Sequence, residues 1–171
     1  MKIITVTILV SLLGIATAGP IPLADDYVAG FVLYKVEDGK IEYVLLQKSS
    51  ELDDWSPPKG KIDLGEDARM GAIRETFEET SYTEADYTPL FLKQIYFEYD
   101  TSAGVTKKVT LFPAKLTNLQ KPVVLDPNEH AAFEWVGAAA AEYLIKPQYK
   151  AAFLEADIYV RAQESRAESQ Y

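Results

Sequence analysis

The chain contains no cysteine and a single histidine, His130. Disulfide frameworks, zinc-thiolate sites and thiol nucleophiles are therefore excluded. No nucleophile-elbow motif accompanies the histidine, which disfavours a serine hydrolase. The sequence also lacks a basic block to offset its formal charge of −9, so nonspecific binding to nucleic acid or an anionic membrane is disfavoured. An anionic substrate would need metal ions or a local basic patch. N-glycosylation sequons are missing, since Asn118 is followed by Leu-Gln and Asn128 by Glu-His. The one long apolar run, Ile3 to Ile15, is shorter than the roughly 20 residues a membrane helix needs.

What is present is material for one domain with a real core: 171 residues, 48% of them apolar and 12% aromatic. Lys2, the apolar run and Ala16-Thr17-Ala18 together have the layout of a secretory signal peptide. Residues 1–18 are expected to be cleaved after Ala18, leaving a linker over 19–25, a secreted protein and no membrane attachment.

Val-, Tyr- and Phe-rich DYVAGFVLYKV, a Glu-Asp-Gly turn and IEYVLLQK predict a β-hairpin. Residues 48–65, with Pro57-Pro58 and several Ser, Asp and Gly, predict a long ordered loop without a regular element, of a length that is often functional. Apolar spacing predicts a helix over 67–80. A second hairpin is expected from PLFLKQIYFEYD and VTKKVTLFPAKL around Thr-Ser-Ala-Gly, followed by a strand at HAAFEWVG and helices from AAAAEYLI and YKAAFLEADIYV. The polar tail, residues 161–171, is expected to fray. The fold class is α/β, a mixed sheet covered by helices on both faces, with the domain over 26–160.

The 67–80 helix poses a charge problem. At about 100° per residue Glu75 and Glu79 lie about 40° apart with Glu78 on their flank, and most apolar residues are expected opposite. A Glu/Glu pair at this spacing costs roughly 0.2–0.5 kcal/mol, and Arg74 can neutralise only part of the cluster. Hard oxygen donors grouped this way suit magnesium or manganese, which take carboxylates and waters while contacting substrate phosphates. A solvated acidic face is the plain alternative.

Gly60, Glu66, Arg74, Glu75, Glu78 and Glu79 fit the spacing G-x(5)-E-x(7)-R-E-U-x-E-E-x-G-U across 23 residues, and on these positions the sequence resembles the Nudix hydrolases. Thr76 replaces an aliphatic residue of that pattern, Ser81 replaces its glycine and Tyr82 its last aliphatic residue. Thr76 is expected to face the core and bond back to the helix, and Ser81 to manage the C-cap turn. The resemblance implies a helix-flanked mixed sheet and hydrolysis of a nucleoside diphosphate linked to another group. It implies Glu75, Glu78 and Glu79 as ligands of Mg2+ or Mn2+, Arg74 as the ion-pair partner of the glutamates, and Glu66 as a supporting ligand or brace.

Outside that box the sequence resembles the animal-type asymmetrical diadenosine tetraphosphate hydrolases, through Trp55-Ser56-Pro57-Pro58-Lys59-Gly60, the strand EYVLLQKS and Glu129-His130-Ala131-Ala132-Phe133-Glu134-Trp135. Lys61 stands where those enzymes usually have histidine. This resemblance implies Glu129 as a further carboxylate at the metals and Phe133 as an aromatic beside the nucleotide, with His130 orienting or hydrogen bonding. It also implies Tyr99 and Lys107 on the polyphosphate. From their charge, Lys59, Lys61 and Lys107 would neutralise the phosphate chain and the leaving group. A metal-held water would attack in line, with Glu79 as base or base-side ligand and Glu129 second. The expected partner is a small nucleotide, split from diadenosine tetraphosphate to ATP and AMP, with no nucleic acid beyond a possible RNA cap. Alternatives are ADP-ribose, a nucleotide sugar, a diphosphoinositol polyphosphate or capped RNA as substrate, or a secreted nucleotide-binding module without catalysis.

Overall fold

The structure, a computed structural model, describes residues 26–169. The expected signal peptide and linker lie outside the described residues. Among the described residues no helix is long and apolar enough to cross a membrane.

Strand β1 (Asp26–Glu37) is buried continuously from Val28 to Tyr34, as a strand covered on both faces must be. Its alternating side chains divide the core. Val28, Val32 and Tyr34 enter one cluster, while Ala29, Phe31 and Leu33 enter another on the opposite face. After a turn with Asp38 and Gly39 at positive φ, β2 (Lys40–Lys48) returns antiparallel to β1. The long segment that follows carries two short strands that the sequence reading did not expect. β3 (Trp55–Ser56) pairs with Leu46 and Gln47, and β4 (Lys59–Lys61) pairs antiparallel with Val28 to Gly30. Side-chain periodicity cannot show pairings of two or three residues; here the partner strands determine them. Gly30 makes the second one possible, because a Cβ there would lie 2.2 Å from the Pro58 carbonyl oxygen.

Helix α1 (Ala68–Thr80) then crosses one face. β5 (Tyr87–Pro89), β6 (Ile95–Asp100) and β7 (Thr106–Leu116) follow, with β7 parallel to β1 and both β5 and β6 antiparallel to β7. β8 (His130–Val136) pairs with β2 through a register shift at Gln47/Lys48. Helices α2 (Ala138–Leu144) and α3 (Pro147–Glu168) cover the second face, where Phe153, Ala156 and Val160 meet Tyr43 and Leu45. The result is the expected α/β arrangement, a mixed sheet between helices.

The polar tail does not fray at residue 161; α3 continues to Glu168. Polar groups hold it to the sheet: Tyr43 donates to Asp157 Oδ1 (2.6 Å), Tyr34 to Glu164 Oε1 (2.7 Å), and Lys115 Nζ meets Glu164 Oε2 (2.6 Å). These partners come from strands far away in sequence, so tail composition could not reveal them. Replacing Glu164 by alanine leaves the buried Tyr34 hydroxyl without its acceptor and is expected to lower stability by about 2 kcal/mol. A urea unfolding midpoint unchanged from wild type would show that the tail is not anchored this way.

Candidate active site

Asp67 starts α1, its Oδ1 accepting from the Arg69 and Met70 amides at 2.8 and 2.9 Å. Ser81 ends it in the left-handed region, φ 62°, where the glycine of the motif would be easiest to place. Between these caps the inward face is Ala72, Glu75, Thr76, Glu79 and Thr80, whereas Phe77 is 52% exposed. This corrects the sequence expectation that the carboxylates oppose the packed side. Glu75 and Glu79 point inward with the small residues, toward β4 and β8, and only Glu78 stays on the surface. Thr76 is fully buried as expected, but its hydroxyl has no hydrogen-bond partner; Thr80 Oγ1 instead donates to the Thr76 carbonyl. Tyr82 is buried and donates to Lys121 O at 3.0 Å.

Arg74 organises the acidic face. It binds Glu66 through two nitrogens at 2.9 Å each, Glu75 at 2.7 Å, Glu78 at 2.9 Å and the Lys61 carbonyl at 2.7 Å. Glu66 is thereby a brace, also accepting from the Asp63 amide. Burial pushes the Glu75 carboxyl up to about 7 against the pull of Arg74, and the charges of Glu79 and Glu78 add to the rise. With a folded-state value above the ordinary 4.5, protonated Glu75 contributes stability that is complete below about pH 4.5 and is lost as pH rises through 7. Metal-free protein should therefore lose melting temperature between pH 5 and pH 8, and Glu75→Gln should flatten that decline. Parallel curves for both proteins would contradict it.

Opposite α1, the Lys59 amide donates to Glu79 Oε2 at 2.8 Å, and His130 Nε2 lies 2.8 Å from Glu79 Oε1. That second approach is close but misaligned, so neither nitrogen of the buried imidazole makes a directional hydrogen bond. Glu79, Glu129 and His130 each present a ligand atom within 4.8 Å of the others. Gly60 lets the strand press against Glu75: a Cβ at Gly60 would sit 1.9 Å from Glu75 Oε2. An oxygen-rich donor set, an orphaned buried imidazole and a backbone pared down beside a carboxylate together fit a divalent cation.

Two clefts meet here. The smaller, about 290 Å3, holds Glu79, Glu129 and His130; the larger, about 550 Å3, holds Lys61, Tyr99, Lys107 and Tyr149. Lys48, Asp54 and Lys59 line both. Tyr99 and Lys107 are register partners across β6 and β7. Alternation settles which tyrosine enters, since Tyr96 is 57% exposed and its hydroxyl donates to Glu98. Lys61 is also tied to Asp26 at 2.7 Å. Phe133 lines neither cleft; it is 37% exposed on β8, in register with Leu46. Asp54, Lys48, Lys146 and Tyr149 are additions that the sequence reading missed. Their only local signal was proximity to Trp55 or Pro147, because three elements have to converge before they share a wall. Lys59 Nζ sits 5.5 Å from the centre of the Tyr149 ring, and the Tyr149 and Tyr99 hydroxyls lie 3.4 Å apart.

A family profile described as the NUDIX domain matches residues 26–156. The chain belongs to the Nudix hydrolase family. Among this Nudix hydrolase's relatives is a protein of Caenorhabditis elegans named bis(5'-nucleosyl)-tetraphosphatase [asymmetrical], 38% identical over 109 residues, which are 63% of this chain and 75% of the relative. A Mus musculus protein of the same name is 31% identical over 63% of this chain and 71% of its own. The solved C. elegans Ap4A hydrolase binary complex superposes with a TM-score of 0.75 and 32% identity, covering 80% of this chain and 98% of that one. The box residues thus occupy a Nudix fold, in a hydrolase with tetraphosphatase relatives.

Proposed function

We propose that this enzyme hydrolyses a phosphoanhydride bond in a dinucleoside polyphosphate, splitting diadenosine tetraphosphate into ATP and AMP. The observation that carries the reading is the union of the clefts: a carboxylate–imidazole cluster opens past Lys48, Asp54 and Lys59 into a larger chamber whose wall carries lysines, tyrosines and several acids. Five lysines on the wall of the second chamber, Lys48, Lys59, Lys61, Lys107 and Lys146, suit a bridge of several phosphates. Relatives named for tetraphosphate hydrolysis point the same way.

Glu75, Glu79 and Glu129, with His130 beside them, would hold Mg2+ or Mn2+, which when bound polarises phosphoryl oxygens and makes water a better nucleophile. Glu78 is joined to this set through Arg74. In the reaction a water oxygen bonds to phosphorus in line with the departing phosphate, whose bridging P–O bond breaks. Glu79 takes the water's proton; its Oε2 is already fixed by the Lys59 amide. Lys59, Lys61 and Lys107 bind phosphate oxygens and balance charge on the leaving group, and Tyr99 orients the chain. Aromatic stacking holds an adenine against the half-buried Tyr99, with the buried Tyr149 ring behind it, in preference to Phe133, which lines neither cleft.

The test is product analysis with diadenosine tetraphosphate, ADP-ribose and a diphosphoinositol phosphate side by side, with and without magnesium. ATP plus AMP from the first, only with the cation, is expected. Two ADP, or turnover of ADP-ribose alone, would overturn the assignment. Export of the domain is a further part of the proposal, motivated by residues 1–18; recovery solely within cells with those residues retained would reject it.

A further inference from the structure

The ion pair between Asp54 and Lys146 has no part in the reaction just described. Asp54 is 7% exposed and lines both clefts, whereas Lys146 lines the larger one and is absent from the wall around Glu79 and His130. Tertiary contacts bring the two together. Ile145 bridges to Trp55, and the Lys146 amide donates to the Trp55 carbonyl at 3.1 Å, which fixes the start of α3 beside the residue following Asp54. The Lys146 ammonium is then held by Asp54, with Glu51 3.4 Å away. An ammonium has three N–H donors, so it can keep its carboxylate and still donate to an anion in the cleft. A buried carboxylate that immobilises a lysine at a cleft wall costs desolvation, and presenting the cation in one position is a use for that expense. The neighbouring cations are arranged alike, Lys61 against Asp26 and Lys48 against Glu51.

Resting on the reading that the substrate is a dinucleoside polyphosphate, we propose that Lys146, positioned by Asp54, binds a phosphate beyond the scissile bond and so selects long polyphosphate bridges over diphosphate bridges. The placement carries this. Asp54 lines both clefts and Lys146 lines the larger but not the one around Glu79, so a phosphate bridge seated at Glu79 has to extend out of the smaller cleft before it meets Lys146.

The experiment measures kcat and KM for diadenosine tetraphosphate, and the competitive Ki of ADP-ribose, in wild type and Lys146→Met with magnesium. KM should rise roughly tenfold, the scale of a lost charge-assisted hydrogen bond, with kcat within about twofold and the Ki unchanged. Lys146→Arg should recover most of the affinity. Because Lys146→Met leaves Asp54 unpaired, an Asp54→Asn/Lys146→Met double variant is measured alongside it. The same KM rise in both supports the proposal; wild-type KM in the double variant assigns the effect to the unpaired Asp54 and overturns it. Equal changes in KM and Ki, or a fall in kcat at constant KM, also overturn it. Wild-type enzyme inert toward the tetraphosphate would defeat the substrate assignment itself, whereas normal turnover with unchanged KM in Lys146→Met defeats only the inference.

Discussion

Glu79→Gln is expected to lower kcat for tetraphosphate hydrolysis at least about a hundredfold while leaving the melting temperature close to wild type. The substitution keeps the side-chain length and an oxygen for the Lys59 amide, which donates to Glu79 Oε2 at 2.8 Å. It removes the capacity to take a proton and one anionic donor from the group formed with Glu129 and His130. Stability should change little, because Glu79 has no ion pair to Arg74 and its carboxylate is buried beside two other acids. Steady-state kinetics with calorimetric melts checks both halves. Turnover at the wild-type rate would remove the box from the mechanism, and a larger loss in Glu129→Gln would move the proton acceptor to Glu129, in the turn that precedes β8.

Gly60→Ala should be nearly as damaging without touching a charged group. Its Cβ would fall 1.9 Å from Glu75 Oε2 and 2.1 Å from the carboxyl carbon, distances that non-bonded atoms do not tolerate. The carboxylate is held by Arg74 from one side and cannot swing freely. Either Glu75 moves by an ångström or more, or β4 lifts from β1 and takes Lys59 with it. A displacement of that size is expected to cost about a hundredfold in kcat/KM. Overpacking beside β1 should also reduce stability by about 1–3 kcal/mol. A fully active Gly60→Ala variant would mean that Glu75 is not positioned by this contact.

Much of the fold was readable from the chain because its longer elements declare themselves locally. β1 and β2 are rich in Val, Tyr and Leu around an Asp-Gly turn, and α1 falls in the proline-free run whose apolar spacing is helical. The box was readable for a related reason: side chains on one helix keep the same spacing in sequence and in space. Where the reading failed, the cause was a contact with something remote. β3 and β4 exist because Leu46–Gln47 and Val28–Gly30 offer them edges. α3 continues through a polar tail because Tyr34 and Lys115 supply partners for Glu164.

The carboxylate helix shows the division most clearly. Its charges and spacing are local properties, and by themselves they gather three carboxylates on one helix in a way that suits a divalent cation; the link to phosphoanhydride cleavage came only from the resemblance to the Nudix hydrolases. Which of those carboxylates face inward was decided by packing, since Gly60 and the small inward residues of α1 make room for Glu75 and Glu79 while Phe77 is left outside. The same holds for the chamber beyond them. Asp54, Lys146, Tyr99 and Lys107 come from separate parts of the chain, and they line one cleft only because the sheet and the start of α3 bring them together.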